Sequence, residues 1–471
     1  WTGHGHIAAL TLNRLSRREG ADMVAKVTGG KALPDEVLDQ IVAKTDGVPL
    51  FVEELTKTVI ESGIAKTGDE DYTLTGQLTD LAIPSTLQDS LMARLDRLSP
   101  VKGVAQIGAC IGRVFAHDLL AAISPLGANE LEDALQQLVN SELIFRTGAP
   151  PNTTYTFKHA LVQDTAYGSL LKSRRQQIHG NIARTLETSF SEIRNTEPEL
   201  LGHHFSSSGI VESAVSYFIE AGKQALRGMA LKEAVSHLND GLRLVGEIGD
   251  ETERDRLDLD VRAVLGTTYM ALLGWPAPEV ESTLGRALTL CRKVEKSEHV
   301  FSVLWGLWCY HSTRSNFDDS LMLVEEMISV ARPIGDTDME ITGLMAACLT
   351  CFWMGDFARA AEYRDRLLDD YDIGQHGHLV TLTNHDPKTT VLVWGTQLQW
   401  MLGYPDQAKA TGEDMLALAR RLKHPFNTCF ALTAGAGIYD MCREPAELLR
   451  RTDEAIQIAI EHGMPLVEHV I

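Results

Sequence analysis

The sequence predicts a mainly α-helical protein with three parts: a small helical cluster, a winged helix with a β-hairpin, and a solenoid of helix pairs. Three observations support this fold class. Apolar residues recur mostly at the i, i+3, i+4 spacing of helices. A single pair of β-like segments lies near residue 150, between helical segments. Beyond residue 197, a pattern of small and bulky residues recurs every 40 to 48 residues, which indicates stacked repeats.

The composition already excludes some classes of function. The 471 residues suffice for about three domains of roughly 150 residues each. The formal net charge of −21 disfavours binding to a phosphate backbone, so we expect no nucleic-acid partner. No apolar run approaches the roughly 18 residues of a membrane span, so we expect no membrane contact. Seven scattered cysteines, an odd number, suit a reducing compartment and predict a cytoplasmic protein.

Residues 1–83 form the first predicted part. The apolar stretch His4–Leu12 reads as one β-strand, and because Trp1 is not Met we expect the natural start to lie upstream. Ser16 and Glu19 have the spacing of a capping box, which predicts a helix from there to about Val27. The glycine pair at 29–30 should end that helix.

Two further helices follow in this first part. Pro34 suits the first turn of the second helix, and Gly47 should end it. Pro49 should begin the third helix, whose apolar face is formed by Val52, Leu55 and Val59. The polar segment 68–82 is rich in Gly, Thr and Asp, which predicts a linker or loop.

Residues 84–196 have the element order of a winged helix. The two strands, Leu143–Arg146 and Thr154–Phe157, flank a Gly-Ala-Pro-Pro-Asn turn and predict a two-stranded hairpin. A further helix is expected at Leu161–Leu171. The helices expected before the hairpin are 86–98, 101–111, 117–122 and 130–140.

Residues 197–471 are predicted to be tetratricopeptide-like helical repeats. On the second helix of each pair, a small residue is followed by further packing positions four and seven residues later. Arg364 and Gly412 depart from the bulky apolar residue usual at the middle position. The five sets are Ala234/Leu238/Gly241, Val280/Leu284/Ala287, Ser320/Val324/Met327, Ala360/Arg364/Leu367 and Ala408/Gly412/Met415.

Several catalytic motifs are missing from the sequence. There is no G-x-x-x-x-G-K-[ST] phosphate loop, no G-x-S-x-G and no H-E-x-x-H. The stretch Thr28–Ala32 holds two glycines and a lysine, but Ala32 stands where Mg²⁺ chemistry needs a hydroxyl. We therefore assign no catalytic residue and no metal ligand to this chain.

Two segments could contact a nucleotide. In Thr45–Phe51 (TDGVPLF), the glycine permits a tight turn, and the ring of Pro49 can pack flat against a purine. In Tyr155–Asp164 (YTFKHALVQD), His159 stands at a strand-to-helix junction, where its ring can donate to an anionic oxygen. Taken singly, an ordinary helix start and a structural capping histidine are the better explanations of these residues.

Together, the two motifs resemble those of the signal-transduction ATPases with numerous domains (STAND), the class that includes the NB-ARC proteins. The resemblance covers about residues 1–190. It implies that Gly47, Pro49 and Leu50 belong to a helical lid whose proline lines the adenine, and that His159 reads the diphosphate of ADP. The implied cofactor is ATP or ADP, with Mg²⁺ expected only together with an upstream core. Lys158 and Ala160 depart from the Met and Asp usual beside that histidine.

Longer runs resemble a narrower group, the bacterial multidomain adenylate/guanylate cyclase-type proteins. The runs are LTLNRLSRREGADMV, KTDGVPLFVEELTKTV, IPSTLQDSLMARLDRL, YTFKHALVQDTAYGSLLKSRRQQIH and LGYPDQA. The resemblance implies that 1–83 is the end of the ATPase core and its lid, with the phosphate loop and a cyclase domain upstream. This chain alone would then be regulatory rather than an enzyme. Its partners would be those upstream domains and a protein or small-molecule ligand of the repeats.

Other functions stay open on the sequence alone. A transcription regulator of the same ATPase class would differ in its flanking domains, and a peptide-binding scaffold would bind no nucleotide. The predicted recognition helix, taken as Asn129–Glu142 with the residues just after its end, argues against DNA, because it carries Glu130, Glu132, Asp133 and Glu142 and no basic residue. The pair Cys348/Cys351 and the set His376, His378 and His385 are better explained by helix packing and a loop than by metal binding.

Overall fold

A computed structural model describes residues 13–62, 65–67, 71–74, 86–98, 101–150, 152–294, 298–383 and 385–464. It confirms the mainly α-helical fold. The chain divides into two compact units, Trp1–Ala214 and Val215–Ile471, and the sequence-predicted boundaries at 83 and 196 both fall within the first. The strand expected at His4–Leu12 lies outside the described residues. Within the described residues, no helix combines the length and apolarity that crossing a membrane requires.

Three helices begin the first unit: α1 (Arg17–Val27), α2 (Asp35–Thr45) and α3 (Pro49–Glu61). The capping box is confirmed, since the amide of Glu19 donates to Ser16 Oγ and the amide of Ser16 donates to the Glu19 carboxylate at 2.8 Å. Pro34 lies at the N-cap of α2, one position before its first turn. The predicted apolar face of α3 is buried with Val37 and Ile41 in one core cluster.

A short strand corrects the expectation of a loop at Tyr72–Leu74; residues 68–70 and 75–82 of the predicted loop lie outside the described residues. Strand β1 (Ala65–Thr67) pairs with β2 (Tyr72–Leu74) in antiparallel register. The amide of Tyr72 donates to the carbonyl of Ala32 at 3.0 Å, and its side chain packs against the core of the three helices. This contact to a distant part of the chain supplies the stability that the local Gly- and Asp-rich composition does not indicate.

The next segment contains seven helices and a three-stranded sheet, and we call α4 to α9 with this sheet the wing segment. The helices are α4 (Leu87–Arg97), α5 (Lys102–Ile111), α6 (His117–Ile123), α7 (Ala128–Asn140), α8 (Ala160–Gly168), α9 (Lys172–Ser189) and α10 (Ser191–Thr196), and the strands are β3 (Val114–Ala116), β4 (Ile144–Thr147) and β5 (Thr154–Phe157). The antiparallel order is β3-β5-β4.

Strand β3 was not expected from the sequence. It has three residues, too few to show an alternating pattern, and its central residue Phe115 is buried against Tyr155 and Phe157. Gly108 makes room for the Phe115 ring, because a Cβ at this glycine would lie 2.9 Å from it. The helix expected at Leu161–Leu171 ends earlier, at Gly168, and α9 begins at Lys172.

Helix α11 (Pro198–Ser208) packs on α9 through histidines. The Nδ1 atoms of His179 and His204 lie 2.8 Å apart, and His179 Nε2 lies 3.1 Å from the hydroxyl of Tyr167. Burial, His203 and Arg175 lower the pKa of His179 to about 4, so the pair is neutral near pH 7. The pair therefore joins two helices.

The second unit consists of stacked helix pairs. The first helices are α12 (Val211–Arg227), α13 (Leu231–Val245), α14 (Glu251–Leu273), α15 (Pro278–Lys293), α16 (Val300–Thr313), α17 (Phe317–Ile334), α18 (Thr337–Met354) and α19 (Phe357–Asp370). All of the predicted repeat positions are buried except Arg364, which is half-buried. Leu284 shows how tight the stack is, because Cβ atoms at Gly266 and Gly306 would lie 2.2 and 2.3 Å from its methyl groups.

The interval of 48 residues before the last predicted set has a structural cause. Two short helices, α20 (Ile373–His376) and α21 (Leu379–Thr383), are inserted before the next pair. The remaining helices are α22 (Pro387–Met401), α23 (Pro405–Leu422), α24 (Pro425–Thr433), a 3-10 turn at Ala434–Ala436, α25 (Gly437–Met441) and α26 (Pro445–Glu461). Buried Asp386 anchors the insertion by accepting hydrogen bonds from Tyr371 (2.5 Å) and Thr389 (2.8 Å).

The three histidines of this region point to different partners. His376 accepts a hydrogen bond from the amide of Asp372, His378 lies 3.0 Å from Asp338, and His385 packs between phenylalanine rings. No group of side chains in the described ranges has the arrangement of a metal site. Cys348 and Cys351 are buried in α18, and burial raises the pKa of Cys348 to about 12, which keeps this thiol protonated.

Candidate functional site

The turn between α2 and α3 contains the first predicted site residue, Gly47. Asp46 and Gly47 have φ values of +46° and +65°, so the chain reverses through two left-handed residues. The amide of Leu15 donates to the carbonyl of Gly47 at 2.8 Å. A Cβ at this glycine would lie 2.3 Å from the Leu15 carbonyl oxygen. Residue 47 must therefore be glycine both for its φ angle and for its close approach to Leu15.

Pro49 and Leu50 follow this turn directly. Pro49 is the first residue of α3, as predicted, and its ring is exposed. Leu50 is half-buried, and Val48 before it is 37% exposed. An exposed, rigid ring at a helix start can pack against a planar apolar group such as a base.

A cleft of about 540 Å³ adjoins the turn. Its lining includes Gly47 but neither Pro49 nor Leu50. Its two arginines, Arg14 and Arg17, belong to neither nucleotide motif that the sequence shows, and they pair with Asp46 and Asp39 across the opening. Both ion pairs are exposed, so they are weak and their guanidinium groups can exchange partners for a phosphate.

His159 lies at the N-cap of α8, directly after strand β5, as the sequence predicted. Its side chain does not cap the helix. The ring is half-buried, and its Nε2 atom is buried without a hydrogen-bond partner among the described residues. A buried polar atom without a partner is unfavourable, so an external acceptor or donor at this position would be stabilising.

The residue beside His159 joins the wing segment to α3. Lys158 Nζ lies 2.7 Å from Glu53 on α3 and 3.1 Å from Glu142, which follows α7. Lys57, one turn after Glu53, pairs with the same two carboxylates. We call these four side chains the charged quartet. Pro49 lies one helical turn, about 6 Å along the axis, before Glu53 on α3, so the structure brings the His159 segment and the Pro49 helix into contact.

The charges of the quartet stabilise one another. Burial opposes the ionisation of Glu53, but hydrogen bonds from Lys158 and Lys57 outweigh it and lower its pKa to about 2. Burial likewise disfavours the Lys158 ammonium, whereas the hydrogen bonds that it donates to Glu53 and Glu142 raise its pKa. Glu142 has a φ of +55°, which is uncommon for a side chain of this size. The lysine at position 158 thus makes a specific ionic contact between the wing segment and α3.

A second polar contact between α3 and the wing segment is fully buried. Arg94 on α4 is 2% exposed and pairs with Glu54, which is 1% exposed. The same guanidinium donates to Glu61 on α3 and, at 2.7 Å, to the carbonyl of Ser141 after α7. Sequence reasoning missed this network. Its only signal is an arginine on the Leu91/Leu95 face of α4, where an apolar residue is expected.

The structure therefore brings together some of the predicted site residues. Gly47 adjoins the cleft, Pro49 begins α3, and the neighbour of His159 is bonded to α3. For ATP or ADP, the chain offers an exposed proline ring, a buried imidazole nitrogen without a partner and two weakly paired arginines. These groups fit a nucleotide in chemical type. Their assignment as nucleotide ligands stays a prediction.

Comparison with known sequences gives one informative match. No family model matches the chain. A relative from Rhizobium meliloti (strain 1021), described as an uncharacterized protein, is 26% identical over 417 residues. The match covers 86% of this chain and 39% of the relative, so the chain spans about two fifths of the length of the curated relative that it matches.

Solved structures give weaker likenesses. A STAND protein with a tetratricopeptide repeat sensor from Pyrococcus horikoshii is 13% identical, covers 99% of this chain and 69% of its own, and has a TM-score of 0.41. The apo form of RapI is 11% identical, covers 80% of this chain and 94% of its own, and has a TM-score of 0.38. TM-scores this low support no inference about function.

Proposed function

We propose that this chain is the regulatory portion of a multidomain signalling ATPase of the STAND type. In this proposal Gly47, Pro49 and Leu50 form the lid side of a nucleotide site, and His159 contacts the diphosphate of ADP. The observation that carries the proposal is the buried, unpartnered Nε2 of His159, whose neighbour Lys158 is bonded to the helix that Pro49 begins.

The charged quartet supports a hinge between α3 and the wing segment. Ion pairs with partial solvent access contribute little net free energy, because water solvates the separated charges well. The quartet can therefore open and close while the buried Arg94–Glu54 pair between the same elements stays intact. ADP would favour the closed arrangement by contacting the lid and His159 at once, and ATP would favour the open one.

We further propose that the repeats sense a protein or small ligand and that the output is cyclic-nucleotide synthesis by an upstream cyclase domain. The cyclase rests on the sequence resemblance, and no catalytic residue is assigned to this chain. The nucleotide supplies the diphosphate and base that the lid and His159 recognise. The residues of this chain bind and orient it.

Nucleotide binding tests the proposal. Labelled ADP is titrated into the chain and into a longer version that carries the upstream residues. We expect Pro49→Ala and His159→Ala each to weaken ADP binding by the longer version by about tenfold, equivalent to one lost contact of about 1.4 kcal/mol. Matched controls are Pro278→Ala, which also removes a proline from the first turn of a helix, and the exposed His462→Ala.

The outcome separates this function from a scaffold. If ADP binds equally to the parent and to both lid and histidine variants, the chain is better described as a repeat scaffold with a vestigial lid. If the control variants weaken binding as much as the test variants, the effect is one of general stability and the assigned residues are wrong.

A further inference from the structure

The second unit exposes large apolar side chains along one edge. They lie in the turns that join the two helices of a pair, where α18 meets α19 and α22 meets α23. We define the turn-edge patch as Trp353, Met354, Trp400, Met401, Leu402 and Tyr404, which are 37 to 54% exposed. Among the described turns on the opposite edge, between successive pairs, Ile334 is the only large apolar side chain with such exposure.

Part of the patch is held in place by ring contacts. The ring of Trp353 lies 6.4 Å from that of Phe317 on the preceding pair and 5.9 Å from that of Trp394 on the following pair. The ring of Phe352 also lies 5.4 Å from that of Trp394. The apolar surface is therefore preformed across three successive pairs, which lowers the entropy lost when a partner binds.

The patch is bordered by carboxylates. Asp318, Asp356 and Asp406 lie at the starts of α17, α19 and α23, next to the turns. Asp318 and Asp406 are exposed and form no ion pair among the described residues. Of the nearby cations, Arg359 pairs with Glu325 and with the rim residue Asp356, Lys409 pairs with Glu444, and Arg314 donates to the carbonyl of Pro276. The negative charge that the rim presents around the apolar centre is therefore that of Asp318 and Asp406.

We propose that the turn-edge patch docks a basic amphipathic helix of a partner protein, with its apolar face on the tryptophans and its Lys or Arg residues against the carboxylates. This rests on the proposed role of the repeats as a sensor. Neighbouring helix pairs stack about 10 Å apart, which matches the rise of about 10.5 Å over seven helical residues. A helix with an apolar residue every seven positions can therefore contact successive turns.

The negative charge of the rim favours a basic helix over two other possible occupants of the turn-edge patch. A second copy of the chain, docked by the same patch, would place like carboxylates against one another. An anionic membrane would be repelled by the same groups. A basic helix satisfies both the apolar centre and the charged rim.

Two synthetic peptides test the inference on the complete chain. Both form amphipathic helices of about five turns with leucine on one face; the polar face carries lysine in the first and glutamate in the second. We expect the lysine peptide to bind and the glutamate peptide not to bind, as measured by calorimetry. Trp400→Ser combined with Tyr404→Ser should weaken the lysine peptide at least tenfold, whereas Leu449→Ser with Ile460→Ser, exposed apolar residues of α26, should not.

Charge reversal and association complete the test. Asp318→Lys with Asp406→Lys should transfer binding to the glutamate peptide, and Glu247→Lys should not. Three outcomes would each overturn the inference. Both peptides could bind equally, the chain could form concentration-dependent dimers that the Trp400/Tyr404 variant abolishes, or the chain could bind to phosphatidylglycerol vesicles. ADP titration is independent of these peptides, so loss of peptide binding with intact ADP binding rejects the turn-edge patch alone.

Discussion

Helix α3 meets the wing segment through charged and hydroxyl groups, whereas the helix pairs of the second unit meet through interlocking apolar side chains. In the first contact, Arg94 and the charged quartet hold the elements with directional bonds. In the second, Leu284 fills the space left by two glycines on neighbouring helices. Partly solvated charged contacts such as the quartet have two states of similar free energy, bonded and hydrated, whereas the buried Arg94–Glu54 pair and a close-packed apolar contact have one. We therefore expect the joint in the first unit to move at the charged quartet, and the stack in the second unit to be rigid.

The largest expected effect is at the buried ion pair of the joint. Arg94→Ala leaves Glu54 buried without a partner, and we expect a loss of about 3–5 kcal/mol in the free energy of unfolding of the first unit. Six of the seven tryptophans lie in the second unit, so tryptophan fluorescence reports mainly the unfolding of that unit. In the variant, circular dichroism should therefore show part of the unfolding transition shifted to lower urea concentration, while the fluorescence transition stays in place. Glu61→Gln, at a partly exposed partner, should change stability by less than about 1 kcal/mol. Loss of both signals together would contradict the separation of the two regions.

The next largest effect is in the rigid stack. Gly266→Ala places a methyl group against buried Leu284, and overpacking of this kind destabilises by about 1–3 kcal/mol. Tryptophan fluorescence in urea should report the loss. Gly285→Ala is the matched control, because a methyl group at this helical position has free space around it. It should raise the free energy of unfolding by up to about 1 kcal/mol. Adding Leu284→Val to the first variant should recover part of the loss; no recovery would argue against steric conflict.

The charged quartet predicts a pH dependence of smaller size. The pKa of Glu53 is lowered to about 2 in the folded chain, so its stabilisation is present above its ordinary value of 4.5 and is lost as the pH falls towards 2. Because the pair is partly solvated, we expect the stabilisation that is lost to be at most about 1 kcal/mol. Amide hydrogen exchange in α3 should quicken on going from pH 5 to pH 3, after correction for intrinsic rates.

Glu53→Gln should flatten that dependence, and Glu36→Gln, at an exposed carboxylate on α2, should leave it unchanged. An equal response in both variants would show that the quartet does not set the pH dependence.

The smallest effect concerns the repeat position that breaks the pattern. Arg364 keeps 15% of its side chain exposed, pairs with Asp365 and lies over Gly395, where a Cβ would be 3.3 Å from its Cδ. We expect Arg364→Leu to change the free energy of unfolding by no more than about 1 kcal/mol, measured by thermal melting. A loss as large as that of Gly266→Ala would show that the guanidinium stabilises the stack.

The sequence predicted most helices to within a few residues, because helical period, caps and glycine stops are local. The capping box of α1 and the proline start of α3 are examples. It could not predict β3, whose strand depends on pairing with β5 about forty residues later. The strand at Tyr72 was missed because it too depends on a contact with a distant residue, Ala32.

For the candidate site, sequence motifs supplied Gly47, Pro49, Leu50 and His159, but not the cleft arginines or Arg94. A charged residue in a helical pattern is normally taken as exposed, and only the fold shows that Arg94 and Glu54 are buried as a pair. Nor could spacing show that Lys158 bonds Glu53, 105 residues away. Such contacts arise when tertiary packing brings distant parts of the chain together, so short-range sequence patterns do not reveal them.

The hydrogen bond between Leu15 and Gly47 gives a spectroscopic label for the turn between α2 and α3. A turn without room for a side chain moves together with the backbone it touches. The Leu15 amide proton therefore reports any displacement of this turn. Its chemical shift and solvent exchange, followed by NMR during a nucleotide titration, would test whether the turn moves as the proposed lid does, without any attached probe.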